Sequence, residues 1–141
     1  MTVSGAIIRW LKAFDPEEYW KMKQVDTDIQ SAKVDSYSLV KEPVRNVKTY
    51  VSGRKVITDH YMIQARLSSQ TNADRIENSG FGEALEDWVS EQGKKKNFPK
   101  IPDAVVQAIS VTTPFYLGKV DTNNSIYQLT VAIKYEKEKQ A

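Results

Sequence analysis

The chain has no cysteine, and among its 141 residues a single histidine, His60. Without cysteine there are no disulfides, no thiolate nucleophile and no Cys-based zinc site. One histidine without cysteine does not build a His-rich metal centre, and no serine sits in a Gly-x-Ser-x-Gly elbow. No apolar run approaches the roughly 18 residues needed to cross a bilayer. Gly5-Ala-Ile-Ile8 is too short for a signal h-region and leads into Arg9, Trp10 and Lys12, so neither secretion nor membrane insertion is expected. A strong charge imbalance is also missing. Twenty Lys and Arg stand against 18 Asp and Glu, a net charge of +2, whereas nucleic-acid modules concentrate basic residues more heavily. What remains is an ordinary globular composition, 40% hydrophobic and 27% charged, long enough for one domain with its own core.

The first segment predicts a helix over residues 4–14, with Ser4 as N-cap and Ile7, Trp10, Leu11 and Phe14 at helical spacing. Asp15-Pro16 ends it, and Pro16 at an N1 position permits a second short helix through Met22. This aromatic N-terminal arm, 1–32, is either core packing or a docking surface, and core packing fits a helix that covers a sheet. From Lys33 the pattern turns to strands. Val34–Val40 is expected to stop at Glu42-Pro43. Val44–Val51 and Val56–Leu67 are joined across Ser52-Gly53-Arg54-Lys55, where Gly53 suits a positive φ. In the second of these, Ile57, Tyr61, Ile63, Ala65 and Leu67 share one face, and only Asp59 breaks the alternation.

Thr71-Asn-Ala-Asp74 forms a capping-box pattern that starts a short helical turn, with a break near Asn78-Ser79-Gly80. The main helix then carries Phe81, Ala84, Leu85, Trp88 and Val89 on one stripe, with Glu83, Glu86, Asp87, Ser90 and Glu91 on the other side. Gly93 is the expected C-cap, followed by Lys94, Lys95 and Lys96 beside the carbonyl end. Val105–Thr113 is the next strand, closed by Pro114. After the Asp121–Asn124 turn, Tyr127, Leu129, Val131, Ile133 and Tyr135 alternate without a fault. Residues 137–141 read as a frayed tail.

Together these elements predict an α+β fold: a two-layer sandwich of a mostly antiparallel sheet packed by one main helix plus an N-terminal helix. A helix of this length is marginal alone, so Phe81, Leu85, Trp88 and Val89 are assigned to core packing, with Tyr61, Ile63, Leu129, Val131 and Ile133 as the acceptor face. The opposite face of the last strand, Ile126, Gln128, Thr130 and Ala132, lacks the charge that usually blunts unwanted pairing. It is a subunit interface or a plain solvent face.

Reaction chemistry is not evident. Glu83, Glu86 and Asp87 are explained by a solvated helix side, and acid–base work needs a desolvated carboxyl. Asp26 and Asp28 lack the glycine and glutamate of a calcium loop. Gly93-Lys94 lacks the residues of a phosphate loop. His60 reads as a sheet-surface residue. Lys94, Lys95, Lys96 and Lys100 near Phe98 either neutralise a helix end or touch a nucleic-acid backbone. No cofactor and no metal is expected.

One resemblance points to function. The turn Tyr50-Val51-Ser52-Gly53, the aromatic strand at Tyr61, Ile76-Glu-Asn-Ser-Gly-Phe81, Glu86-Asp-Trp-Val89, Asn97-Phe98-Pro99 with Ile101-Pro102, and the strand Tyr127–Tyr135 resemble phage tail terminator proteins. These are often labelled minor capsid or tail completion proteins in tailed phages of Gram-positive bacteria. The resemblance spans roughly residues 33–136, the α+β core. It implies a non-enzymatic structural protein of a virion or a headless tail-like particle, assembled in the host bacterial cytoplasm. Such proteins form a homo-oligomeric ring, usually hexameric, at the head-proximal end of the tail tube. The ring stops tube polymerisation and offers the surface for head–tail joining. Implied partners are further copies of the chain, the tail tube protein, the head–tail connector protein, and sheath or tape-measure protein, with DNA only as passing cargo. Candidate contact residues are Arg54 and Lys55 at the hairpin tip and Gln128, Thr130 and Ala132 on the neutral face. Alternatives are a head-closure or adaptor protein of the connector, and a small nucleic-acid-binding module.

Overall fold

The computed structural model describes residues 2–14, 25–27, 36–120 and 124–137. The second short helix, the start of the strand at Val34, most of the 121–124 turn and the last residues of the tail lie outside them. Helix α1 (Val3–Leu11) precedes strand β1 (Val25–Thr27), the hairpin β2 (Ser36–Thr49) and β3 (Lys55–Ser68), helix α2 (Asn72–Lys95), and the hairpin β4 (Ala104–Val120) and β5 (Asn124–Lys137). The sheet order is β1-β2-β3-β5-β4, antiparallel throughout except for the parallel pair β1–β2. The chain is therefore an α+β protein with its helices on the sheet.

Period-two alternation explains the centre of this sheet. Ile63 faces Leu129, and Tyr61 faces Val131, so one face of β3 and β5 is continuously apolar. Ile57, Tyr61, Ile63, Ala65 and Leu67 are buried with Leu129, Val131, Ile133 and Tyr135 under the helices. Each large side chain removed from water contributes roughly 1.5–3 kcal/mol before chain entropy is counted.

Helix α1 is capped by Thr2, not Ser4, whose place is inside the first turn; the Thr2 hydroxyl accepts from the Gly5 N–H at 3.0 Å. Its Ile7 and Leu11 are fully buried, and Trp10 donates its indole N–H to the Asn97 carbonyl at 2.8 Å. That bond ties the N-terminal helix to the loop leaving α2.

Both expected strand stops are overridden. β2 runs through Glu42-Pro43 on a bulge, its register with β3 shifting between Lys41 and Arg45. β1 pairs only with Tyr37–Leu39, so further along β2 has a strand on one side only among the described residues. A proline there deletes no ladder bond. β4 likewise runs past Pro114 to Val120 with four register shifts, because it is the edge strand. Glu86 of α2 accepts the N–H of Phe115 just after that proline. A helix side chain thus satisfies the strand edge.

α2 is one helix and not a turn followed by a helix. The capping box is in place: Thr71 Oγ1 accepts from the Asp74 N–H at 3.1 Å, and Asp74 Oδ2 from the Thr71 N–H at 3.4 Å. Asn78 does not break the helix because its amide is used sideways, donating to the Ser68 carbonyl at 2.8 Å and towards the Tyr127 hydroxyl at 3.4 Å. Two glycines inside the helix mark close approach. A Cβ at Gly82 would lie 2.1 Å from the Phe115 ring, and one at Gly93 would lie 2.9 Å from the Ile109 carbonyl. Gly93 therefore serves packing, and the left-handed cap falls on Lys96 at φ 58°. The Asn97 N–H then closes on the Gln92 carbonyl at 3.0 Å.

Candidate assembly surfaces

The distal end of the β2–β3 hairpin is exposed. Both strands have 14 residues, and β5 pairs with all of β3 but Lys55, so it is the turn between them that reaches past the sheet. Residues 43–49 and 51–55 are all exposed. Val44, Val47 and Val51 are 61%, 49% and 109% exposed, so the distal arm shows apolar side chains without covering them. The turn is ordered from within. The Tyr50 N–H donates to the Arg54 carbonyl at 2.8 Å, and the Gly53 N–H to the Tyr50 carbonyl at 2.9 Å, with Gly53 at φ 87°. Arg54, one of the candidate contact residues, lies 4.5 Å from the Tyr50 ring centroid and 3.1 Å from a Glu136 carboxylate oxygen. Lys55, the other candidate at the tip, is exposed at the start of β3.

At the base of this arm sits the residue that interrupts the β3 alternation. Asp59 is fully buried on the apolar face, where a lone carboxylate would be strongly destabilising. Arg45, set opposite it by the β2 bulge, donates twice, at 2.7 and 3.0 Å. The Tyr135 hydroxyl donates at 2.8 Å and Lys41 Nζ lies 3.9 Å away. Burial pushes the Asp59 pKa up. The Arg45 and Tyr135 hydrogen bonds and the nearby Lys41 and Arg45 charges outweigh it, so the group is held below the ordinary carboxylate range. The same site raises Tyr135, first by burial and then by its bond to Asp59. Asp59 therefore clamps three adjacent strands, β2, β3 and β5, at the level of the β2 bulge.

The neutral face of β5 is more occupied than its sequence suggests. Thr130 is only 5% exposed, and its hydroxyl donates to Glu42, which reaches across from the β2 bulge at 3.0 Å. Gln128 is half-buried over Gly118, where a Cβ would lie 1.9 Å from its amide nitrogen. Ala132 is half-buried opposite His60. His60 stands half-buried on this face, and its buried Nδ1 has no hydrogen-bond partner among the described residues. Along the β4 edge, Tyr116, Leu117 and Val120 are exposed.

Phe81, Leu85 and Val89 of α2 are fully buried. Trp88 is half-buried, with its ring 4.5 Å from Trp10 and 5.5 Å from Phe14. Phe81 joins this cluster to Phe115, which stacks on Tyr127 at 5.2 Å. The other side of α2 exposes Glu77, Glu83, Asp87 and Glu91, and Ile76 among them is 65% exposed. Of the basic group after it, Lys95 pairs with Glu91 at 2.8 Å and Lys96 forms the cap, which engages two of its members at the helix end.

Sequence reasoning missed the Asp59 clamp, although a carboxylate breaking a clean alternation was its visible trace. It also missed Glu86 as an edge-strand acceptor, for which no local signal exists. Among the described residues no group of three or more His, Asp or Glu could hold a metal ion, and no helix is long and apolar enough to cross a membrane. No protein-family model and no curated protein matches the chain.

Proposed function

We propose that this chain is a structural virion protein, a ring-forming terminator that caps the head-proximal end of a tail tube, stops its polymerisation and provides the surface for head–tail joining. The observation that carries the reading is the β2–β3 arm. A rigidly based hairpin with three exposed valines is poorly suited to stand alone in water, and a neighbouring subunit is the natural cover for it. A ring needs such a heterologous contact, one surface of a copy received by a different surface of the next. The particular assignment rests on the resemblance of the segments around Tyr50–Gly53, Ile76–Phe81 and Glu86–Val89. In the fold these are the arm's turn and the part of α2 that fills the aromatic core.

The partners in this reading are further copies of the chain, the tail tube protein and the head–tail connector protein. The work is done by shape and surface. Deleting the gene is expected to yield tails of uncontrolled length, or tails that do not join heads, seen by electron microscopy. Normal, joined tails from the deletion strain would refute the proposal.

A further inference from the structure

A nearly balanced total charge conceals a basic end. The end of the sheet that holds the β2–β3 turn also receives the C-terminus of α2. Gly93 packs on the Ile109 carbonyl, Ile109 pairs with Ile133, and the loop after α2 rejoins the sheet at Ala104, opposite Lys137. Lys55 and Lys137 come one residue past the Val56–Glu136 pair that ends the β3–β5 ladder. Each stands two residues from a side chain of the buried face, Ile57 and Tyr135, so by the pleat both lie on the helix side. Lys94, Lys95 and Lys96 end α2 on that side, and Lys100 follows in the loop whose Ile101 joins the core. Residues 91–103 with Lys55 and Lys137 thus bring six exposed lysines together against two carboxylates, Glu91 and Asp103. Lys95 pairs with Glu91 at 2.8 Å, and the other five are in no ion pair among the described residues. Lys48 and Lys134 belong to the outer face and stay outside this group.

The dipole of α2 does not account for these lysines. A helix C-terminus carries about half a negative charge, which less than one lysine balances. The remainder repel one another unless something of opposite sign neutralises them. Composition selects that anion. Protein interfaces are depleted in lysine and enriched in arginine and aromatic residues. Single-stranded nucleic acid is held by exposed aromatics that stack on bases, whereas here Phe98 is half-buried and Pro99 and Ile101 are buried. Lysine is a flexible point charge, suited to phosphates in varied positions.

We propose that this basic end binds the phosphate backbone of double-stranded DNA, through Lys55 and Lys137 from the sheet and Lys94, Lys96 and Lys100 from the end of α2. Lysines on phosphates carry no sequence information, so binding is independent of base sequence. The site goes beyond the ring reading and does not depend on it.

The test is fluorescence anisotropy of a labelled duplex of about 20 base pairs, titrated with the full chain between about 50 and 200 mM salt. Five lysines, each on one phosphate, give a log–log slope of about −4.5, so affinity falls about 500-fold over that range. Lys55→Gln with Lys137→Gln, and separately Lys94→Gln with Lys100→Gln, should each bring the slope to about −2.7 and the fall to about 40-fold. Lys119→Gln, at the opposite end of the sheet, is expected to change neither. A duplex of different sequence should bind equally, and polyglutamate of matched charge should compete poorly. Circular dichroism and thermal melting check that each variant is folded. No DNA binding at the lowest salt, a loss confined to one lysine pair, or an equal effect of Lys119→Gln would overturn the composite site. Polyglutamate that binds as well as the duplex would overturn it too, and would assign the surface to an acidic protein. None of these results bears on the ring reading, which the gene deletion tests separately.

Discussion

Arg45→Ala is expected to destabilise the chain more than Asp59→Asn, although Arg45 is the more exposed partner. Its side chain is 41% exposed, against 0% for Asp59. Removing the guanidinium strands a buried carboxylate with only the Tyr135 hydroxyl at 2.8 Å and Lys41 at 3.9 Å. Breaking a buried pair in this way costs about 3–5 kcal/mol. Water entering the half-open Arg45 side, and Lys41 moving closer, should reduce that to about 2–3 kcal/mol. Asp59→Asn leaves an acceptor for Tyr135 and lets Arg45 turn to solvent, so about 1–2 kcal/mol is expected. Urea unfolding followed by tryptophan fluorescence measures both, with the slope m unchanged.

The pH dependence gives the sign. In the parent protein Asp59 is held below the usual value, so the native state binds fewer protons than the unfolded chain. Its contribution is complete above the unfolded pKa of about 3.9 and is lost as pH falls through the lower native value. In Arg45→Ala burial dominates and raises the group instead. The native variant then takes up the proton first, and its deficit relative to the parent should shrink from pH 7 towards pH 4. An Arg45→Ala variant within about 0.5 kcal/mol of the parent, smaller than the cost of any buried unpaired charge, would refute the reasoning. A deficit that stays constant or grows as pH falls would do the same.

Two further outcomes test the packing and the neutral face. Gly82→Ala should lower stability by about 1–2 kcal/mol despite the better helix propensity of alanine. The Phe115 ring it would strike is held between Phe81 and Tyr127, at 5.7 and 5.2 Å, so a thermal melt at or above the parent's would show that this stack yields freely. Ala132→Lys probes the β5 outer face better than a lysine at Thr130, whose hydroxyl is bonded to Glu42. If that face joins subunits, sedimentation should show weaker association with an unchanged melting temperature; intact rings would remove it from the interface.

The elements that sequence reading placed well are those whose signal is local. Alternation in β3 and β5 depends on the two-residue pleat, and the expected bounds Val56–Leu67 and Tyr127–Tyr135 fall inside the observed Lys55–Ser68 and Asn124–Lys137. The capping box at Thr71 is local too. The misplaced boundaries share one cause. Pro43, Pro114, the Asn78–Gly80 run and Gly93 carry local stop signals, and each is overruled by a neighbour distant in sequence or by its place in the sheet. Bulged or edge positions excuse the prolines, Ser68 and Tyr127 occupy Asn78, and the Ile109 carbonyl requires the absence of a Cβ at Gly93.

By itself the sequence determined the α+β class, the apolar faces of β3 and β5, the buried stripe of α2 and the turn at Gly53, because each follows from periodicity or backbone preference within a few residues. Only the tertiary structure decided that Asp59 is a clamp and that Thr130 is engaged. Those facts depend on strand order and register, which bring together residues that no local pattern relates.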